Sequence, residues 1–237
     1  MALDQRAPAL RERRFFLWIA SFLAATTLVG FTRTYYFRGY FRSPQLRPFL
    51  HYHGAVMTAW IFLFLVQSVL IARRRVRLHR ALGYVGAVLA LLVVIMGSAA
   101  TIIAAAREVR GHTAYVPLRL NVLALELTQM ALFAVFVGIA LWMRRRPDVH
   151  KRCMLLATLC MLPNPQLRML PFINNNLVYL ALWSAQIFLF VGLDALLNRR
   201  LHPAFLRGAL VANLALYAAQ FASNTTAWRQ FASRVIT

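Results

Sequence analysis

The chain has 237 residues, of which 61% are hydrophobic and only 14% are Asp, Glu, Lys or Arg. Soluble domains carry about a quarter charged residues, so this composition excludes an ordinary soluble protein. The formal net charge is +21. Because the cations stand between apolar segments, we interpret them as anchors to anionic headgroups and as topology signals. No nucleic-acid partner is expected.

Apolar segments near membrane-spanning length recur along the whole chain. They predict an all-α, polytopic transmembrane helix bundle. Residues 1–14 form a cytoplasmic tail, residues 15–222 the membrane domain, and residues 223–237 an extracytoplasmic tail. The seven predicted spans are 15–33, 54–72, 81–105, 118–143, 150–170, 176–198 and 205–222.

The fifth predicted span, 150–170, is rich in proline. Pro163 and Pro165 lie inside it and Pro171 follows it. Each proline lacks an N–H group and disfavours helix in the residue before it. We therefore expect a kinked or broken helix, with the freed carbonyls satisfied by neighbouring helices or water. The three asparagines at 174–176 predict the N-cap of the next helix.

The distribution of Lys and Arg predicts the orientation. A cytoplasmic N-terminus puts 17 of these residues on the cytoplasmic side and 10 on the other. The dense clusters RRRVRLHR and MRRRPDVHKR then both lie inside. The positive-inside rule thus favours a cytoplasmic N-terminus and an external C-terminus in a bacterial inner membrane.

Several arginines are expected to contact anionic lipid, because a guanidinium at a membrane boundary pairs with headgroup phosphates. Two belong to the first outer loop, where aromatic residues alternate with cations, and the others to the two cytoplasmic clusters. They are Arg38, Arg42, Arg73, Arg74, Arg75, Arg144, Arg145 and Arg146.

Two histidines open helices on the cytoplasmic side. His79 begins the third span in LHRALGYVG, and His150 begins the fifth in RPDVHKR. Two histidines from neighbouring helices are the axial ligands of a six-coordinate b-type haem. Gly83 and Gly86 would let a porphyrin or a helix approach closely. The alternative is that both imidazoles are hydrated among their flanking arginines.

A second candidate site lies on the outer side, where HYHG enters the second span. His51 and His53 share a leaflet with Glu126 of the fourth span. Two imidazoles and one carboxylate would suit Zn, Cu or Fe. The alternatives are a His–Glu ion pair inside the bundle, or histidines at the interface beside Tyr52.

Several membrane chemistries are excluded by missing residues. The last span has no lysine for a retinal Schiff base, and no H-x-x-x-H or H-E-x-x-H motif supplies zinc ligands. No G-x-S-x-G motif and no P-loop is present.

Three segments resemble a group of bacterial polytopic membrane proteins without an assigned activity. They are HYHGAVMTAWIFLFLVQSVLI at 51–71, LHRALGYVGA at 78–87 and DVHKRCMLLATL at 148–159. This resemblance implies a helical membrane fold.

The motif LHRALG also resembles the haem-bearing helix starts of di-haem transmembrane b-type cytochromes, which are ascorbate-dependent reductases. That family places two histidine pairs on four central helices. The resemblance implies His79 and His150 as the inner pair. The outer pair departs from the pattern, because His53 has no partner on a second span and His112 lies in a predicted loop.

Two functions follow as expectations. The first is membrane electron transfer to or from quinone or a partner protein, through haem b or a transition-metal ion. The second is that of a non-catalytic accessory or assembly subunit, which binds anionic lipid within a larger membrane complex. Only six acidic residues are present, so general acid–base chemistry has few candidates.

Overall fold

The computed structural model describes residues 6–111, 116–173 and 175–236. Within these ranges the chain forms helices joined by turns and contains no strand, which confirms the all-α prediction. The helices are α1 (Arg6–Phe31), α2 (Pro48–Ala72), α3 (Val76–Arg110), α4 (Val116–Trp142), α5 (Pro147–Leu159), α6 (Pro163–Met169), α7 (Asn176–Asn198), α8 (Pro203–Ala222) and α9 (Thr226–Ile236).

Six of these helices are long and apolar enough to cross a membrane, so the chain is a multi-pass membrane protein. They are α1, α2, α3, α4, α7 and α8. Each corresponds to one predicted span. Helix α1 begins at Arg6, before the predicted span, and continues into a π-helical turn at Thr32–Tyr36.

The fifth predicted span is broken, as the prolines predict. Helix α5 ends at Leu159 and α6 begins at Pro163. A continuous helix would bond the Leu159 carbonyl to the N–H of residue 163, which proline lacks. This carbonyl accepts from the Leu162 N–H at 3.1 Å and from the indole Nε1 of Trp183 on α7 at 2.9 Å.

The second freed carbonyl is satisfied by the same helix. Pro171 has no N–H to offer to the Leu167 carbonyl. The single hydroxyl proton of Tyr179 on α7 is shared between this oxygen, at 3.2 Å, and the Leu170 carbonyl, at 2.7 Å. Two side chains of α7 thus satisfy carbonyls that the prolines leave open, as a helix break inside a membrane requires.

Helices α5 and α6 together connect the two ends of the bundle. We call the end where α1 begins the N-terminal end, and the other the opposite end. Lys151 of α5 pairs with Glu12 near the start of α1. Arg168 of α6 lies over the ring of Phe31, the last residue of α1, with 4.5 Å from Cζ to the ring centroid.

Helix α4 lies at the centre of the bundle, where it packs against α3, α5 and α8. The rings of Trp60 on α2 and Phe133 on α4 meet edge to face, with centroids 4.9 Å apart. Trp60, Phe133, Trp183 and Phe205 are all almost completely buried. These large apolar side chains hold four helices in register.

Asn175 caps the N-terminus of α7. The side chain of Asn175 accepts a hydrogen bond from the Leu177 N–H at 2.8 Å, which confirms the predicted cap of α7. Asn174 lies outside the described residues.

Helix α9 was not predicted, because its 11 residues are too short and too polar to give a span signal.

Candidate functional site

The structure brings together His79 and His150, the two histidines that the sequence predicts at one side of the membrane. His79 lies in the first turn of α3 and His150 in the first turn of α5. Their ring centroids are 6.2 Å apart and their planes are nearly perpendicular, at 86°. Both side chains are partly buried. This histidine pair lies at the N-terminal end of the bundle, beside the two arginine clusters.

The nitrogens of the two rings differ in their hydrogen bonds. The Nδ1–H of His150 donates to the Ala140 carbonyl at 2.8 Å, which fixes the ring and leaves Nε2 as the nitrogen with a lone pair. Metal-ligating histidines are commonly oriented by such a bond to a backbone carbonyl. The Nδ1 of His79 is buried and has no hydrogen-bond partner. A buried polar atom without a partner is costly unless a ligand satisfies it.

The 6.2 Å between the ring centroids matches the spacing of two imidazoles on one metal ion. Metal–imidazole distances are about 2 Å, so two imidazoles on opposite sides of one ion have ring centroids about 6 Å apart. A Cβ added at Gly83, one turn after His79, would meet nothing within 4 Å, so that side of α3 is open. At Gly86 an added Cβ would lie at 3.4 Å from Leu63, an ordinary contact.

A second polar contact joins α5 to the residue before α8 at the same end of the bundle. The Nε2 of His202, just before α8, is 3.1 Å from the Oδ2 of Asp148 in α5. His202 is buried, whereas half of the Asp148 side chain is exposed. This hydrogen bond is the main cause of a lowered pKa of Asp148.

The Asp148–His202 contact should therefore depend on pH. A carboxyl group whose pKa is lowered by folding stabilises the fold above its unfolded value and loses that contribution as the pH falls. We expect Asp148→Asn to lower the thermal midpoint at neutral pH, by an amount that shrinks as the pH falls below about 4, the unfolded pKa of an aspartate. Unfolding scans of both proteins between neutral pH and pH 3 test this, and a pH-independent difference contradicts it.

The outer histidines and Glu126 do not form one ligand set. Both histidines belong to helix α2, where residues i and i+2 point about 200° apart. His51 is exposed, while the Nδ1 of His53 contacts the Met96 carbonyl at 3.2 Å. Among the described residues there is no group of three or more His, Cys, Asp or Glu that could hold a metal ion.

Glu126 is instead paired with residues that the sequence analysis did not single out. Its carboxylate accepts hydrogen bonds from Thr101 of α3 and from Arg119 of α4, the latter at 3.1 Å. Arg119 stands seven residues before Glu126, two helical turns away on the same face. That spacing is the signal that would have predicted the pair.

The HYHG motif has a packing role at its glycine. The ring of Tyr35 lies so close to Gly54 that a Cβ there would overlap it. The Tyr35 hydroxyl donates to the His51 carbonyl at 3.0 Å. The neighbouring Tyr36 hydroxyl shares a hydrogen bond with Thr58, at 2.8 Å. These contacts attach the turn at Thr32–Tyr36 to the N-terminal half of α2.

The arginines expected to bind lipid differ among themselves. Seven of the eight are exposed, as headgroup contact requires. Arg38 is partly buried, and its guanidinium donates within its own loop to the carbonyls of Ser43 and Pro44. His112, the histidine considered for an outer pair, lies outside the described residues.

A buried ion pair begins two residues after His150. Arg152 of α5 and Asp194 of α7 are 2% and 1% exposed, and they form two hydrogen bonds of 2.8 and 2.9 Å. The sequence analysis assigned Arg152 to a cytoplasmic cluster. The ionisable Asp194 inside an apolar helix was the signal that a buried cation must lie nearby.

Comparison of the chain with protein-family models, with curated proteins and with solved structures gave no match.

Proposed function

We propose that the protein binds haem b between His79 and His150 and takes part in membrane electron transfer. The observation that carries the proposal is the meeting of the two imidazoles, 6.2 Å apart, from the first turns of α3 and α5. Helix α4 separates α3 from α5 along the chain, so the tertiary structure is what brings the two histidines together.

Haem suits the pair better than a bare transition-metal ion. A structural or catalytic metal ion needs three or four protein ligands, and the described residues contain no cluster of three or more acidic, His or Cys side chains that could hold one. A porphyrin brings four nitrogen ligands of its own, so two imidazoles complete the coordination. Bound haem supplies one-electron chemistry at potentials that its axial ligands and surroundings set.

The chain's own residues would orient the group and balance its charge. The Ala140 carbonyl holds the His150 ring through Nδ1 and directs Nε2 away from α4. Arg77 and Arg80 flank His79 and are exposed, as are Arg144 and Arg146 before His150. Guanidiniums at this position pair with carboxylates, which are the polar groups of haem b.

We also propose a topology of the chain in the membrane. The pair α5–α6 serves as a seventh crossing over residues 150–170, with the N-terminus in the cytoplasm of a bacterial cell and the C-terminus outside the inner membrane. Its support is that α5 begins beside Glu12 and α6 lies beside Phe31. The arginine excess at the N-terminal end supports the orientation.

A difference spectrum tests haem binding directly. The protein is purified in mild detergent from haem-replete cells, supplemented with haemin, and measured dithionite-reduced minus air-oxidised. We expect sharp α and Soret bands. His79→Ala or His150→Ala should lower haem occupancy at least about tenfold, because even the loss of an outer-shell partner has effects of that size.

The matched control is His51→Ala, which removes an exposed imidazole at the opposite end of the bundle. This variant should retain full haem occupancy. Absence of the bands after haemin addition would overturn the proposal. Bands that persist in the double variant His79→Ala/His150→Ala would also overturn it, since haem would then bind elsewhere.

A specific observation favours the second function, that of an accessory or assembly subunit which binds anionic lipid. Arg73, Arg74 and Arg75 between α2 and α3, and Arg144 to Arg146 between α4 and α5, are all exposed at one end of the bundle. Such clusters bind anionic headgroups. This function predicts a colourless protein that co-migrates with partner subunits in mild detergent.

A further inference from the structure

Helix α9 presents two apolar stripes with different environments. At 100° per residue, Trp228, Ala232 and Ile236 form one stripe, and Phe231 and Val235 form the adjacent one. Ala232 and Ile236 are buried against α3 and α4, where Trp228 also packs. Phe231 and Val235 are 56% and 44% exposed. Only half of the apolar surface of α9 is therefore covered by the bundle.

The remaining face of α9 is polar and carries positive charge only. Thr226, Arg229, Gln230, Ser233 and Arg234 occupy the arc opposite the apolar stripes, and α9 contains no acidic residue. A helix with a basic polar face and an aromatic-bearing apolar face lies in the membrane interface. Its position after the end of α8 is that of a membrane boundary.

A groove runs beside this helix on the surface of the bundle. Two membrane-spanning helices and Trp228 line it: Ala124, Leu127, Thr128 and Ala131 of α4, and Ala219 and Ala222 of α8. We call Trp228 the wall of the groove. The cavity has a volume of about 350 Å³ and an almost wholly apolar lining. This volume is near the lower limit for ligand sites, so it suits one chain of a lipid rather than a whole lipid.

Hydrogen bonds hold the wall of the groove in place. The indole Nε1 of Trp228 donates to the Leu120 carbonyl at 3.0 Å, although this carbonyl lies on a different helix. The side-chain amide of Asn121 donates to that of Asn224, in the turn between α8 and α9, also at 3.0 Å. The groove is thus formed before any ligand enters, which lowers the cost of binding.

We propose that the groove binds one acyl chain of an anionic phospholipid, whose phosphate contacts Arg229. The groove faces the bilayer, because α4 and α8 are membrane-spanning and Ala131 and Ala222 are exposed. Arg229 directly follows the wall residue Trp228 and is exposed. A guanidinium binds phosphate through paired N–H groups. Chain and headgroup are therefore recognised at adjacent points of α9.

Tryptophan quenching by brominated lipid tests this site. Trp18 and Trp142 are exposed and are replaced by Phe, which leaves Trp228 and the buried Trp60 and Trp183 as fluorophores. The protein is reconstituted into vesicles that contain phosphatidylglycerol or phosphatidylcholine with brominated chains at equal mole fraction. The Trp228 signal is the difference from the same protein carrying Trp228→Phe.

We expect Trp228 to be quenched by both lipids and to prefer phosphatidylglycerol about fivefold, the effect of one arginine near the surface. Arg229→Gln should abolish this preference, whereas the matched control Arg234→Gln on the same helix should keep it. Ala131→Leu fills the groove from an exposed position and should reduce quenching by both lipids.

Equal quenching by the two lipids in the parent protein overturns the headgroup contact at Arg229. Unchanged quenching in Ala131→Leu overturns the acyl-chain groove. None of these variants touches His79 or His150, so the outcome is independent of the haem proposal.

Discussion

Replacing Asp194 by Ala is expected to lower the free energy of unfolding by up to about 3–5 kcal/mol, because it breaks a buried ion pair. The Arg152 guanidinium is then left with Glu12, at 3.4 Å, as its one remaining ion-pair contact among the described residues. Arg152 and Asp194 are almost fully buried, at 2% and 1% exposure. A buried guanidinium has lost its hydration, and without the two short bonds to Asp194 this loss is poorly compensated. Arg152→Ala should have an effect of similar size.

Several hydrogen bonds hold the Arg152–Asp194 pair in place. The Nε of Arg152 bonds Oδ2 of Asp194 and its Nη2 bonds Oδ1, which is the paired geometry of the strongest guanidinium–carboxylate contacts. Asn198 donates to the same carboxylate at 3.0 Å, and Arg152 Nη1 donates to the Asp148 carbonyl at 2.8 Å. Helices α5 and α7 are joined at this point.

Unfolding can be followed through the free thiols of Cys153 and Cys160, which are buried and become reactive when the bundle opens. A thiol-reactive fluorophore in a denaturing-detergent titration reports the midpoint. The matched control is the double variant Arg152→Met/Asp194→Leu, which removes both charges and should retain most of the stability. If the double variant is as unstable as Asp194→Ala, packing rather than the unpaired charge is responsible.

Gly30→Val is the second change with a large expected effect, a loss of about 1–3 kcal/mol through overpacking. A Cβ at Gly30 of α1 would lie 2.7 Å from the Cα and the Cβ of Pro165, and closer still to the Pro165 carbonyl oxygen. Backbone atoms cannot rotate away as a side chain can. Helix α6 must therefore move away from α1, and the contact of Arg168 with Phe31 is lost with it.

The matched control is Gly138→Ala in the interior of α4, where a Cβ meets nothing within 4 Å. Removing this glycine should be neutral or stabilise the helix by up to about 1 kcal/mol. The same thiol assay measures both variants. A Gly30→Val protein as stable as the parent would show that α1 and α6 are not closely packed.

The features that depend on residues close together in the chain could be predicted from the sequence. Runs of apolar residues predicted the six long helices, because hydropathy over about 20 residues reports burial in a membrane directly. Pro163 and Pro171 predicted the broken helix, since each removes one specific hydrogen bond. Asn175 predicted the cap of α7, because its partner is only two residues away.

The tertiary structure alone decided which polar groups meet. Arg152 and Asp194 are 42 residues apart, and Thr101 and Glu126 are 25 apart, so their pairing depends on how each helix is rotated about its axis. Hydropathy is averaged over a whole span and does not encode that rotation. For the same reason His51, His53 and Glu126 were predicted as ligands of one ion, whereas in the structure His53 contacts the Met96 carbonyl and Glu126 contacts Thr101 and Arg119.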